Sequence, residues 1–127
     1  MSRIQLALDV TDLDAAIAFY GALFGAEPAK VRPGYANFAI ADPPLKLVLI
    51  EGERGGTVNH LGVEVPDTDV VASAGARLGE AGVELDERSA EACCYATQDK
   101  VWVADPDGAR WEVYTVLGDA DVMVPTS

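Results

Sequence analysis

Two stretches of this chain superpose without a gap. QLALDVTDLDAA from Gln5 sets Leu6 over Leu61, Leu8 over Val63, Val10 over Val65, Asp12 over Asp67 and Asp14 over Asp69 of HLGVEVPDTDVV, which starts at His60. In both, Gln5 over His60 is the leading pair and Asp9 faces Glu64. Self-similarity at one fixed offset means two copies of one supersecondary unit, and that restricts the fold more than any single motif. At 127 residues the two copies fit one domain with a real core.

Each copy opens with a period of two. Ile4, Leu6, Leu8 and Val10 alternate with Gln5, Ala7 and Asp9, and Leu61, Val63 and Val65 alternate with His60, Gly62 and Glu64. Helices should cover the apolar sides, which leaves Gln5 and His60 on the opposite, concave face. The first helix reads as a stripe of Leu13, Ala16, Ile17, Tyr20, Leu23 and Phe24, with Thr11 as its N-cap and Gly25 as its stop. The second reads as Val71, Ala74 and Leu78, capped by Asp67 and stopped by Gly82. Strands follow at YANFAIA and LKLVLIE in the first copy, and at KVWVAD and RWEVYTV in the second. The expected fold class is α+β: two βαβββ modules forming a curved mixed sheet. The chain reads as a single domain over 1–127, with module one at about 2–52, module two at about 58–118 and a short C-terminal tail at 119–127.

Charge removes two classes of partner. Nine Lys and Arg against twenty-one Asp and Glu give a formal charge of −12, which repels nucleic acid and anionic lipid. No apolar run approaches a membrane span, and MSRIQLALDV lacks the layout of a signal peptide, so the cytoplasm is the expected location.

The lone histidine gains weight from the repeat. Gln5 and His60 are pseudo-symmetric and start strands on one face, where each can donate a lone pair. Glu112, a carboxylate in the otherwise apolar RWEVYTV, offers a third donor, while its counterpart near Leu47 or Val48 offers none. One imidazole, one amide oxygen and one carboxylate suit a first-row divalent cation and leave coordination positions open, as catalysis requires.

Cys93 and Cys94 are adjacent and are the chain's two thiols. Neighbouring side chains of a regular strand point to opposite faces, so a pair that grips one atom must sit in a loop or bend. The preceding DERSAEA is polar, without apolar periodicity, and reads as a mobile loop. Tyr35, Asn37 and Tyr95 are expected near the cavity as substrate-orienting groups.

With Gln5, His60 and Glu112 on this pattern, the chain resembles the vicinal oxygen chelate superfamily of glyoxalases, bleomycin resistance proteins and extradiol dioxygenases. KVRPGYANFAIADPPLKLVLIE, NHLGVEV, CCYATQDKVWV and RWEVYTV narrow the likeness to the organoarsenical carbon–arsenic lyases and the related cadmium-induced proteins of actinobacteria. That resemblance implies a nonheme Fe(II)-dependent dioxygenase that uses molecular oxygen to cleave the carbon–arsenic bond of trivalent methyl and aromatic arsenicals, releasing arsenite. It implies Gln5, His60 and Glu112 as iron ligands and Cys93 and Cys94 as the arsenic clamp. Ni, Co, Mn or Zn are expected as substitutes in a purified sample, and the working form as a monomer or a homodimer. The competing readings are a non-catalytic protein that binds cadmium or arsenite and a glyoxalase-like lyase. The latter uses a second carboxylate, which the Leu47 region lacks.

Overall fold

The computed structural model describes residues 2–93 and 96–119, the side chains of Ala92 and Cys93 excepted. The elements are β1 (Arg3–Val10), α1 (Leu13–Phe24), β2 (Lys30–Arg32), β3 (Tyr35–Ile40), β4 (Leu45–Glu51), β5 (Thr57–Glu64), α2 (Thr68–Glu80), β6 (Asp86–Cys93), β7 (Ala96–Ala104) and β8 (Arg110–Asp119). The expected α+β class therefore forms, with the strand–helix–three-strand order occurring twice. The pairing is mixed: β1 runs parallel to β4, and the β3–β4 and β7–β8 ladders are antiparallel. The chain divides into two compact units, residues 3–61 and residues 62–127 with the first two.

In the first unit the strand order is β2-β3-β4-β1-β5. Register carries the face of each residue across the sheet: Leu6 pairs with Leu47 and Leu8 with Leu49, while Gln5 pairs with Lys46 and Ala7 with Val48. The first set packs under α1. Leu13, Ala36, Phe38, Ile40, Leu47 and Leu49 form a buried core, joined by Leu6, Leu8, Val10, Ala16, Ile17, Tyr20 and Phe24. Leu23, expected in the helix stripe, is instead 60% exposed, because the residues facing the sheet are taken up by Tyr20 and Phe24 on either side of it. Asp12, not Thr11, is the N-cap, its carboxylate accepting from Ala15 N–H at 3.0 Å. A carboxylate one residue nearer the helix reaches the N3 amide, and it also complements the positive helix end. Gly25 closes α1 at φ 62, a left-handed conformation that glycine adopts without a Cβ clash.

In the second unit β8, β7 and β6 follow in order. Val65, Val71 and Val101 form its buried cluster, with Val63, Leu85 and Val113 against it. Asp67 caps α2 as expected, accepting from Val70 N–H at 3.0 Å.

β6 corrects the sequence reading: DERSAEA is not a loop but most of an edge strand paired antiparallel to β7. It lacks apolar periodicity because charge pairs stabilise it. Arg88 donates to Asp86 at 2.7 Å and to Glu91 at 2.8 Å. These bonds raise the Arg88 guanidinium above its usual range, and the Arg88 hydrogen bond in turn lowers Asp86. Charged edge strands also resist pairing with other chains. The register shifts between Arg88 and Glu91, where Ala90 has φ 49, the mark of a bulge. Asp99 of β7 fixes that bulge, accepting from Ala90 N–H and, at 2.7 Å, from the Thr68 hydroxyl. The Thr68 bond first and the Ala90 bond second hold the Asp99 carboxyl below its ordinary value.

Candidate metal centre

Gln5 is 4% exposed and His60 4% exposed, although both are polar strand residues. They lie on neighbouring strands of the first unit. Gly56 N–H donates to Asp9 O at 3.0 Å. Since β1 ends at Val10 and β5 begins at Thr57, strands tied there overlap only when antiparallel. The pseudo-symmetric pair of the sequence repeat thus lies on adjacent strands of one unit.

The same face of the first unit holds Tyr35 and Asn37, through the registers Tyr35 with Ile50 and Asn37 with Val48. Both are buried, and Asn37 Nδ2 donates to the Tyr35 hydroxyl at 2.9 Å. Lys46, beside Gln5 in register, is also buried, a cationic group that hydrophobic patterning did not single out. The Leu47 position lies on the helix side, in the α1 core, so it has no bearing on the ligand face.

His60 Nδ1 lies 2.7 Å from Asn59 Oδ1. Asn59 Nδ2 donates to Asp9 Oδ1 at 2.9 Å, and the Thr57 hydroxyl donates to Asp9 Oδ2 at 2.8 Å. A hydroxyl and an amide therefore hold Asp9 at both oxygens.

Glu112 belongs to the second unit. It is 4% exposed and shares a face of β7 and β8 with Trp102, its register partner. Lys100 Nζ sits 2.9 Å from Glu112 Oε1, both side chains almost wholly buried. That contact has the distance of an ion pair without the angles of a hydrogen bond. Lys100 also reaches Glu91 Oε2 at 3.9 Å and lies 5.4 Å from the Trp102 ring centroid; Arg110 lies 4.5 Å from the same ring. Gln98, Lys100 and Trp102 alternate along β7, so a period of two with polar residues in the inward phase was the signal for Lys100.

Among the described residues no group of three or more His, Cys, Asp and Glu is placed to hold a metal. A Gln–His–Glu set contains only two residues of those types. Its donor chemistry, a buried amide oxygen, a buried imidazole and a buried carboxylate, fits a borderline divalent cation. Cys93 is the last residue of β6, in register with Ala96. Cys94 and Tyr95 lie outside the described residues.

Residues 4–113 match the model of the glyoxalase/bleomycin resistance protein/dioxygenase superfamily, and the chain belongs to that family. Within it the chain is homologous to two named proteins. It is 64% identical over 122 residues to the cadmium-induced protein CadI of Mycobacterium tuberculosis, covering 95% of this chain and 80% of that one. It is 62% identical over 125 residues to the trivalent organoarsenical cleaving enzyme of Thermomonospora curvata, covering 97% and 83%. The Mn(II)-bound glyoxalase of Novosphingobium aromaticivorans shares the fold, with TM-score 0.68 at 19% identity over all of this chain and 44% of that one. No helix among the described residues is long and apolar enough to cross a membrane.

Proposed function

We propose that this protein is a nonheme Fe(II)-dependent dioxygenase that cleaves the carbon–arsenic bond of trivalent organoarsenicals and releases arsenite. The observation that carries the reading is the burial of Gln5, His60 and Glu112, three polar strand side chains at 4% exposure each, in a chain 62% identical to an organoarsenical cleaving enzyme. An amide oxygen, an imidazole and a carboxylate are the donor types that a borderline divalent cation takes.

In this reading Gln5, His60 and Glu112 hold the metal, and Cys93 and Cys94 hold the arsenic. Ferrous iron, when bound, supplies the redox chemistry toward molecular oxygen that closed-shell side chains lack. The chain's own groups do the rest. The thiolates select a soft, trivalent arsenic centre over the hard oxygen donors. Glu112 brings one negative charge, and the amide and imidazole are neutral, so a divalent ion keeps net positive charge there. Lys100 orients that carboxylate through its contact with Oε1.

The 64% identity to a cadmium-induced protein favours a second reading, a stress protein that binds cadmium or arsenite through the same thiols without turnover. Arsenic speciation separates the two. Iron-loaded protein incubated with methylarsenite in air should yield arsenite, and the yield should stop under nitrogen. Binding of methylarsenite without conversion in air refutes the enzyme and leaves the binder.

A further inference from the structure

The hydrogen bonds around His60 have a direction, and it is set from one end. Asp9 accepts at both oxygens, from the Thr57 hydroxyl and from Asn59 Nδ2. A carboxylate accepts and a carboxamide nitrogen donates, so the Asn59 amide has its NH2 toward Asp9 and its carbonyl toward His60. Turning that amide over would set carbonyl oxygen against carboxylate oxygen across 2.9 Å. With Asn59 Oδ1, an acceptor, 2.7 Å from Nδ1, the ring proton of the neutral imidazole must lie on Nδ1 and its lone pair on Nε2.

We propose that Asp9 and Asn59 are positioning residues for His60: through the chain Asp9–Asn59–Nδ1 they fix the ring's tautomer and plane so that Nε2 is the metal donor. This rests on the reading of His60 as a ligand. Outer partners of a ligating histidine select which nitrogen carries the proton and make the other a better donor. The repeat supplies an internal comparison. Gln5, the counterpart of His60, has no tautomer to fix, and the residue before it, the counterpart of Asn59, is Ile4, which forms no hydrogen bond from its side chain. Glu64, the counterpart of Asp9, instead accepts from the Tyr114 hydroxyl at 3.2 Å. The Asp–Asn pair joins β1 to β5 and ends at the imidazole, and its repeat-related counterpart, Glu64 with Ile4, makes no such pair.

His60 is the one histidine of the chain, so its ring nitrogens can be read without ambiguity by long-range proton–nitrogen correlation in 15N-labelled, metal-free protein. The wild type should show the Nδ1–H tautomer. Asn59→Ala should shift the ring toward Nε2–H and weaken Ni(II) binding, measured by calorimetry, by about ten- to a hundredfold. Asp9→Asn, whose amide can turn either its oxygen or its NH2 toward Asn59, should release that direction and give a mixture of the two tautomers, and a pure Nδ1–H ring in it would remove Asp9 from the chain. An Nδ1–H signal that persists in Asn59→Ala overturns the proposal. So does an unchanged Ni(II) affinity in Asn59→Ala where His60→Ala loses binding. Unchanged affinity in His60→Ala itself would bring down the ligand reading beneath it, whatever the tautomer shows.

Discussion

Replacing Lys100 with Met is the sharpest test of the ion pair at the second unit's polar face. The side chain is about as long, so the change deletes a charge and little volume. Lys100 is 2% exposed and Glu112 4%, and 2.9 Å separates Nζ from Oε1. Removing one partner of such a pair leaves the other charge buried without it, at a cost of about 3–5 kcal/mol. Glu91 cannot compensate: it is itself an anion, 3.9 Å from Nζ and already held by Arg88 at 2.8 Å. The lower end, about 3 kcal/mol, is expected in metal-free protein, because a carboxylate left alone can take up a proton. That is roughly 10 °C in Tm. Urea denaturation of Lys100→Met, Glu112→Leu and the double variant gives the cycle. The double variant, with neither charge, should return to within about 1 kcal/mol of wild type, which makes the two sites strongly non-additive. If Glu112 is a metal ligand, Ni(II) should restore more stability to Lys100→Met than it adds to wild type, since the cation replaces the missing ammonium. A single variant within about 0.5 kcal/mol of wild type would refute the reasoning, because it would mean that Glu112 reaches water or another countercharge without cost.

Other changes test the frame that carries the site. Asp99→Ala removes the acceptor shared by Thr68 and Ala90 and should cost about 1 kcal/mol at neutral pH. Because the folded Asp99 lies below its ordinary value of 3.8, its contribution is present above that value and fades as pH falls through the folded pKa; acid titrations by circular dichroism of wild type and variant should therefore converge at low pH. Ala90→Gly relieves a left-handed alanine at the β6 bulge and should raise stability by up to about 1 kcal/mol in the same urea assay. Asp12→Ala and Asp67→Ala should each lower stability by about 1 kcal/mol through loss of a helix cap. Cys93→Ser and Cys94→Ser should abolish organoarsenical turnover with iron content retained, as shown by arsenic speciation alongside metal analysis; full turnover in either would remove that thiol from the clamp.

The central strands and both helices were legible because their burial is one-sided. Leu6 and Leu8 face a helix while Gln5 and Ala7 face away, and that contrast writes a period of two into the sequence. β2 and β6 left no such trace. Both stand at the ends of the strand order, where Lys30 and Arg32, or Asp86, Arg88 and Glu91, can point to water and to one another. A polar edge strand and a loop look alike in sequence, so DERSAEA was misread. Asp12 displaced Thr11 as the cap because local sequence permits either and the helix start decides. In the candidate site, the repeat singled out Gln5 and His60, and an isolated carboxylate in an apolar strand singled out Glu112. Lys46, Lys100 and the Asp9–Asn59 pair escaped. Lysine on a strand usually marks solvent, and the burial of Lys46 and Lys100 is set by packing across strands distant in sequence, while Asn59 is exposed and looks in sequence like any solvent-facing polar residue.

The proposed function requires three side chains from the two sequence copies to serve one metal. Iron bound per chain, measured after anaerobic loading and desalting of wild type and of Gln5→Ala, His60→Ala and Glu112→Ala, addresses it most directly. An equimolar complement in wild type and a marked loss in each variant is the predicted result. Full iron content in all three variants would contradict it and place the metal elsewhere.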